Sequence, residues 1–359
     1  MDFNNKLIQL SEKWRQFHQD KTPGQILATI CPYTFTVDYG ARGYPARPLS
    51  SWNFDTDTRA FVEYAKKQHD CFLDYTKDLD NDYFPALNVN LGYGTHSAYV
   101  TGLPVTFGED TSWVHHFIND WDADMPKLRL DENNYWYRKV LEMTKMFAEL
   151  QNGEYAVAAF SNAGPGDMAN AIRGNEIFTD LYDEPERVTA LMDFCVKAAI
   201  WMEDSIHKIT GDVNGGSVTA NCWFEGRAPY ISLDFNDLCA PQQFRDFDFI
   251  ATQKILDYYQ SAFIHHHMKG YHIHADAAKL NHLKLLEISW DPGLRKPVEL
   301  LPEILEMHDG LPLMVRCTAQ DVYAHINDLK KGRVVIMLNI GNLDEGKEVM
   351  RFIRKNSII

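Results

Sequence analysis

Long apolar runs are missing from this 359-residue chain. No stretch approaches the roughly 18–20 apolar residues that a membrane-spanning helix requires. The N-terminal stretch MDFNNKLIQLSEKW is polar and amphipathic, without the apolar centre of a secretory signal, so a soluble cytoplasmic protein is expected. Paired cysteines are missing too. Cys31, Cys71, Cys195, Cys222, Cys239 and Cys317 are scattered with no CxxC, which reads as reduced thiols rather than a disulfide framework. Positive charge is scarce, with 35 Lys and Arg against 50 Asp and Glu and a formal net charge of −15. That argues against nucleic-acid or anionic-membrane binding, which want a basic surface. It also leaves little cation to grip a poly-carboxylate substrate unless arginines cluster locally. No GxxxxGK[ST], GxGxxG or GxSxG motif is present, which argues against a nucleotide-dependent reaction or a serine hydrolase. No repeat of about 20–50 residues is visible.

What is present is ordinary globular composition, 45% apolar and 24% charged. Residues 5–19 and 57–79 carry helical periodicity, and residues 39–51 are rich in Pro, Gly and Arg and read as irregular. Strand-like runs at 84–90, 155–160, 218–222, 230–233, 271–274, 285–289, 311–316 and 333–338 alternate with helical patterns. Several, such as VVIML, are apolar throughout, as expected of parallel strands buried on both faces. About eight strands with intervening helices predict an α/β fold, a single (β/α)8 TIM-type barrel with additional N-terminal helices. Residues 1–80 would be a helical extension packed on the barrel of residues 81–359.

Barrel enzymes place their chemistry at the C-terminal strand ends. The run Gly270-Tyr271-His272-Ile273-His274-Ala275-Asp276 reads as a buried strand opening onto such a site. Alternation would put His272 and His274 on one face, where two imidazoles can converge on an ion or a substrate. A catalytic zinc takes three protein ligands, so Cys317, Cys222, Glu225 or Asp234 would supply the third. The triplet His265-His266-His267 reads instead as the end of an amphipathic helix, favourable to its dipole. Tyr93, Asp234 and Asp276 are candidates for catalysis, and Asn162, Trp290 and Asn339 for holding a cofactor. Residues 103–130, with Trp113, His115 and Trp121, either cover the site or form a surface excursion.

Several stretches carry a family resemblance. GPGDMANAIRGNEIFTDLYDEPERVTALMDF, ISLDFNDLCAPQQFRDF, GYHIHAD and GRVVIMLNIGNLDEG, in that order, resemble the uroporphyrinogen decarboxylase superfamily. That superfamily includes zinc-dependent, corrinoid-linked methyltransferases. The resemblance implies a (β/α)8 barrel. In the methyltransferase branch it implies zinc held by an HxC strand and a late cysteine. His272 stands at the His, His274 at the first Cys and Asn339 near the second. DYGARGYPARPLS, with Arg42 and Arg47, departs from the arginine-rich opening of the true decarboxylases.

Three functions follow as expectations. The first is a methyltransferase using zinc, with a methyl-corrinoid carried on a separate protein because no corrinoid-binding signature is present. The second is a cofactor-free decarboxylase or lyase using Asp234 or Asp276 with a histidine. The third is a small-molecule binding protein on a degenerate barrel. Expected partners are a small-molecule substrate, a corrinoid protein and a second copy of the chain.

Overall fold

Short apolar strands buried on both faces build the centre of the molecule. The computed structural model describes residues 4–30 and 46–359, with the side chains of residues 161 and 162 outside the description. The strands are β1 (Gln25–Thr29), β2 (Ala86–Leu87), β3 (Thr106–Phe107), β4 (Ser112–Trp113), β5 (Ala156–Val157), β6 (Ser161–Asn162), β7 (Gly216–Thr219), β8 (Cys222–Glu225), β9 (Tyr230–Ser232), β10 (Ala262–His267), β11 (Leu283–Ser289), β12 (Leu313–Thr318) and β13 (Arg333–Asn339). Seven form one parallel sheet in the order β1-β13-β12-β11-β10-β9-β6, and β2 pairs in parallel with β5. Helices separate most of these strands, as parallel crossovers require. The architecture is α/β and consistent with a TIM-type fold.

The hydrogen-bonded ladder does not close, because among the described residues β1 and β2 do not pair. Asp82, just before β2, spans the seam. Its N–H donates to Ala28 O at 3.0 Å and its Oδ2 accepts from Ala28 N at 2.7 Å. Lys13 from the N-terminal helix Asn5–Gln19 and Arg354 from the C-terminal helix Leu343–Asn356 neutralise the buried carboxylate, at 2.7 and 2.9 Å. A side chain thus replaces a strand partner, and both chain ends are tied to it.

Four expectations need correction. The first 80 residues are not wholly helical, since β1 lies among them and pairs with β13. It is only five residues long, so little periodicity announces it. Residues 218–222 do not form a strand of the central sheet; they fall in the antiparallel hairpin β7–β8. Residues 271–274 are not a strand either. A 3-10 helix, Met268–Ile273, runs into the short helix His274–Ala277. The strand there is β10, and His265-His266-His267 is its second half rather than a helix end. The preceding helix Phe249–Tyr259 stops at Gln260, whose φ of 58° breaks it, so AFIHHH can pair with β9 and β11 on both edges. Of residues 39–51, those to 45, Arg42 among them, lie outside the described residues, as does Cys31.

Candidate metal centre

Alternation along β10 sends His265 and His267 to one side and His266 to the other. Their rings lie 4.9 Å apart, nearly perpendicular. Each Nδ1 is held by a carboxylate, His265 by Glu287 Oε2 at 2.8 Å and His267 by Asp291 Oδ1 at 3.1 Å. Glu287 is the register partner of His265 on β11, and Asp291 lies just past that strand's end. Both Nε2 atoms therefore face away from their carboxylates, toward one oxygen. Asp234 Oδ1 is 3.7 Å from His265 Nε2 and 3.8 Å from His267 Nε2. Asp234 opens the 3-10 helix Asp234–Leu238 after β9, and its Oδ2 accepts from the Tyr93 hydroxyl at 2.8 Å. Its Oδ1 is buried and accepts no hydrogen bond.

Neighbouring carboxylates anchor that 3-10 helix. Asp167 accepts from Phe235 N, and buried Asp248 accepts from Gly166 N at 2.9 Å and from Asn236 Nδ2 at 2.6 Å. This explains the glycines of GPGDMA. A Cβ on Gly166 would meet Asp248 Oδ2 at 2.8 Å, and one on Gly164 would overlap Ser232 O. Burial, reinforced by Asp234 and Asp248, pushes the Asp167 carboxyl far above its ordinary range. Burial likewise raises Asp248 to about 6, and burial with Asp234 raises Asp237 to about 6. Holding protons in this way relieves the repulsion among the neighbouring carboxylates. For His265, burial opposes the charged ring, but Glu287 and Asp234 outweigh it and push it up to about 9. Burial and the Asp234 charge raise the Tyr93 phenol, which stays protonated.

On the other side of β10, His266 Nε2 lies 2.7 Å from His274 Nδ1, and His274 Nε2 lies 2.8 Å from His308 Nε2. All three rings are buried. Burial lowers His266 to about 3 and His308 to about 4, and holds His274 well below its ordinary value.

Of the residues singled out in the sequence, the structure brings Tyr93 and Asp234 together. His272 is exposed, in a 3-10 helix, with Nε2 2.7 Å from Cys239 O. His274 is consumed by the histidine chain. Cys317 is buried among apolar side chains, and burial pushes its thiol up. It alternates with Arg316, which lines the interior cavity, so it points the other way. Glu225 ends β8 beside Arg15 and Gln19 of the N-terminal helix, at the N-terminal strand ends. Asp276 is committed to Arg245 at 2.8 Å and Lys279 at 2.9 Å, both of which help lower its carboxyl. Trp290 donates to Leu294 O at 2.8 Å, and Asn339 is an exposed strand end. Of Asn162 only the backbone pairing with Ile231 is described. Trp121 is buried in the core, Trp113 is exposed, and neither lines the cavity. The residues that sequence reasoning passed over are His265, His267, Glu287 and Asp291. An i, i+2 histidine pair, present both at His265 and His267 and at His272 and His274, is the available signal.

A cavity of about 470 Å³ adjoins the cluster. His265, Glu287, Arg316 and Tyr230 form one wall. Gln68, His69 and Asn221 contribute to the rest. Arg316 Nε lies 3.9 Å from Glu287 Oε1.

Fold and site together define an α/β protein, consistent with a TIM-type fold, with a candidate metal centre at the C-terminal strand ends. No protein-family model matches the chain, and no curated protein matches it. Among solved structures it is similar to a methyltransferase from Methanosarcina mazei, with a TM-score of 0.63 and 13% identity over 99% of each chain. At that identity the likeness establishes a shared fold. No described helix is long and apolar enough to cross a membrane.

Proposed function

We propose that the protein is a metal-dependent enzyme with methyltransferase-like activity, its active centre formed by Asp234, His265 and His267. One observation carries this reading: two imidazoles, each with Nδ1 fixed by a carboxylate, turn Nε2 toward a buried carboxylate oxygen that accepts no hydrogen bond. Histidines that hold metals are oriented in this way by second carboxylates. Two histidines and a carboxylate suit zinc or ferrous iron and leave positions open for substrate. A divalent ion there would supply Lewis acidity, making an acceptor such as a thiol nucleophilic at neutral pH.

The chain's own residues have separable tasks. Glu287 and Asp291 set the ring orientations, and Tyr93 holds the second oxygen of Asp234. His265 and His267 of β10, with Asp234 from the end of β9, would then take the role that the family resemblance expected of His272 and His274 with a late cysteine. The cavity is too small to enclose a corrinoid, so a methyl-corrinoid donor would be presented by a separate protein at the strand ends.

Elemental analysis of protein purified without chelator, from cells supplied with zinc and iron, tests the centre. A stoichiometric divalent ion is expected, lost in His265→Ala, His267→Ala and Asp234→Ala. Methyl transfer from methylcobalamin to a panel of small thiols then tests the activity. One observation favours a metal-free lyase or decarboxylase: His265, raised to about 9 between Glu287 and Asp234, is a ready proton donor. Metal-free wild-type protein would put that reading first.

A further inference from the structure

The two ends of the cavity are chemically unlike. Near the metal cluster its wall is ionic, made by His265, Glu287 and Arg316. Its lining also includes the tip of the β7–β8 hairpin, Ala220 and Asn221, tied to the N-terminal side of β2 through Phe84 N, and Gln68 and His69. Every polar group at that end is uncharged, since burial pushes His69 down to about 4.

The hairpin tip is built with some strain. Ala220 and Asn221 both adopt left-handed backbone, with φ of 50° and 58°. Two-residue hairpin turns of this kind normally recruit Asn first and Gly second. Here the first position is Ala, which gains nothing from that conformation, and the second is Asn where Gly would be easiest. Left-handed backbone suits Asn at the second position, and its amide remains available for a further role. The tip is also held in place from two directions. Asn221 O accepts from Phe84 N at 3.0 Å, beside the start of β2, and Val218 O accepts from Ala159 N at 2.9 Å, just past β5. The Cys222 thiol reaches Ala220 O at 3.4 Å. The Asn221 side chain, half-buried and lining the cavity, makes no hydrogen bond to any described residue. A fixed backbone thus presents an unspent amide, with donors and an acceptor, to the cavity.

We propose that Asn221 is a specificity-determining residue that binds a neutral hydrogen-bonding group, an amide, carbonyl or hydroxyl, at the end of the substrate remote from its reacting centre. The substrate is then a small bipolar molecule. Its reactive or charged end meets the His265–Glu287–Arg316 wall, and its neutral polar end meets the hairpin tip. A second carboxylate at the remote end would find no cation there. This deepens the proposed function and rests on the cavity being the active site.

The test uses acetamide and sodium acetate as probes on the full chain. The side-chain amide signal of Asn221 is identified in ¹H–¹⁵N spectra by its loss in Asn221→Gly, a change that keeps the left-handed backbone available. Acetamide is expected to move that signal and acetate to leave it in place. Acetamide affinity in Asn221→Gly should fall by about fivefold or more, the scale of one neutral hydrogen bond. An Asn221 signal that acetamide does not move would overturn the proposal. So would an acetate effect of equal size, or unchanged acetamide affinity in the variant. Metal content measured on the same samples separates the two readings, because Asn221→Gly removes no ligand. Protein that binds acetamide as described but holds no metal would retain the subsite and lose the metal centre.

Discussion

Glu287 Oε2 lies 2.8 Å from His265 Nδ1, both groups buried and on neighbouring strands in register. The pair fixes which imidazole nitrogen is left facing Asp234. The charged ring in turn helps hold the Glu287 carboxyl below its ordinary range, against the opposing effect of burial.

Replacing Glu287 by Gln should therefore weaken metal binding without removing a ligand. Loss of an orienting carboxylate lowers metal affinity by about 10–100-fold. Competition titration of zinc against a chromogenic chelator measures this. Affinity equal to wild type would show that Glu287 does not orient the site.

His272 and His274 should behave unlike each other and unlike metal ligands. His272→Ala removes an exposed ring and should leave metal content and melting temperature near wild type. His274→Ala breaks both links of the buried chain to His266 and His308. It should cost about 2–4 kcal/mol by urea denaturation, combining an internal cavity with unpaired imidazoles, while the folded protein still binds metal. Loss of metal in His272→Ala would place the centre at the Gly270–Asp276 segment instead.

Asp82→Ala tests the seam between β1 and β2. It leaves Ala28 N–H without its acceptor and strips a buried carboxylate from Lys13 and Arg354. A loss of about 3–5 kcal/mol is expected, as for breaking one side of a buried ion pair. Asp82→Asn keeps an acceptor for Ala28 and should cost less. Equal losses would mean that charge, not the bridge to Ala28, carries the effect.

Stability of metal-stripped protein should peak near neutral pH. Burial lowers His18 to about 3 and His69 and His96 to about 4. The unfolded chain protonates these rings near pH 6.5, so it binds more protons than the fold, and stability falls as pH drops from 6.5 toward 4. Each group contributes up to about 1.4 kcal/mol per pH unit. His266, His274 and His308 act in the same direction. Asp237 and Asp248, raised to about 6, and Asp167, pushed well above its ordinary range, oppose them as pH falls toward 4, but they are fewer. His265 has the opposite sign. Its contribution is complete below pH 6.5 and is lost as pH rises through about 9. Thermal melts from pH 4 to 9.5 should show a fall on both sides, and a melting temperature rising steadily toward pH 4 would contradict it.

Composition and periodicity alone determined the α/β class, most of the parallel strands and the end of the sheet where chemistry would sit. These are legible because burial on both faces leaves uninterrupted apolar runs, such as VVIML in β13, and because Asp234 comes just after β9. The sequence also carries two histidines at i, i+2, and it offers that pattern twice. His272-Ile273-His274 has an apolar residue between its histidines and looked like a strand. His265-His266-His267 has none and looked like a helix end. Only tertiary pairing decided between them. β10 is a strand because β9 and β11 hydrogen-bond both its edges, and that pairing sets His265 opposite Glu287. Local propensity cannot express such a relation, since its partners lie 22 residues apart. The same holds at the seam, where Asp82 meets Ala28 across 54 residues. Register and convergence are properties of packed strands, and they appear only when the chain has closed on itself.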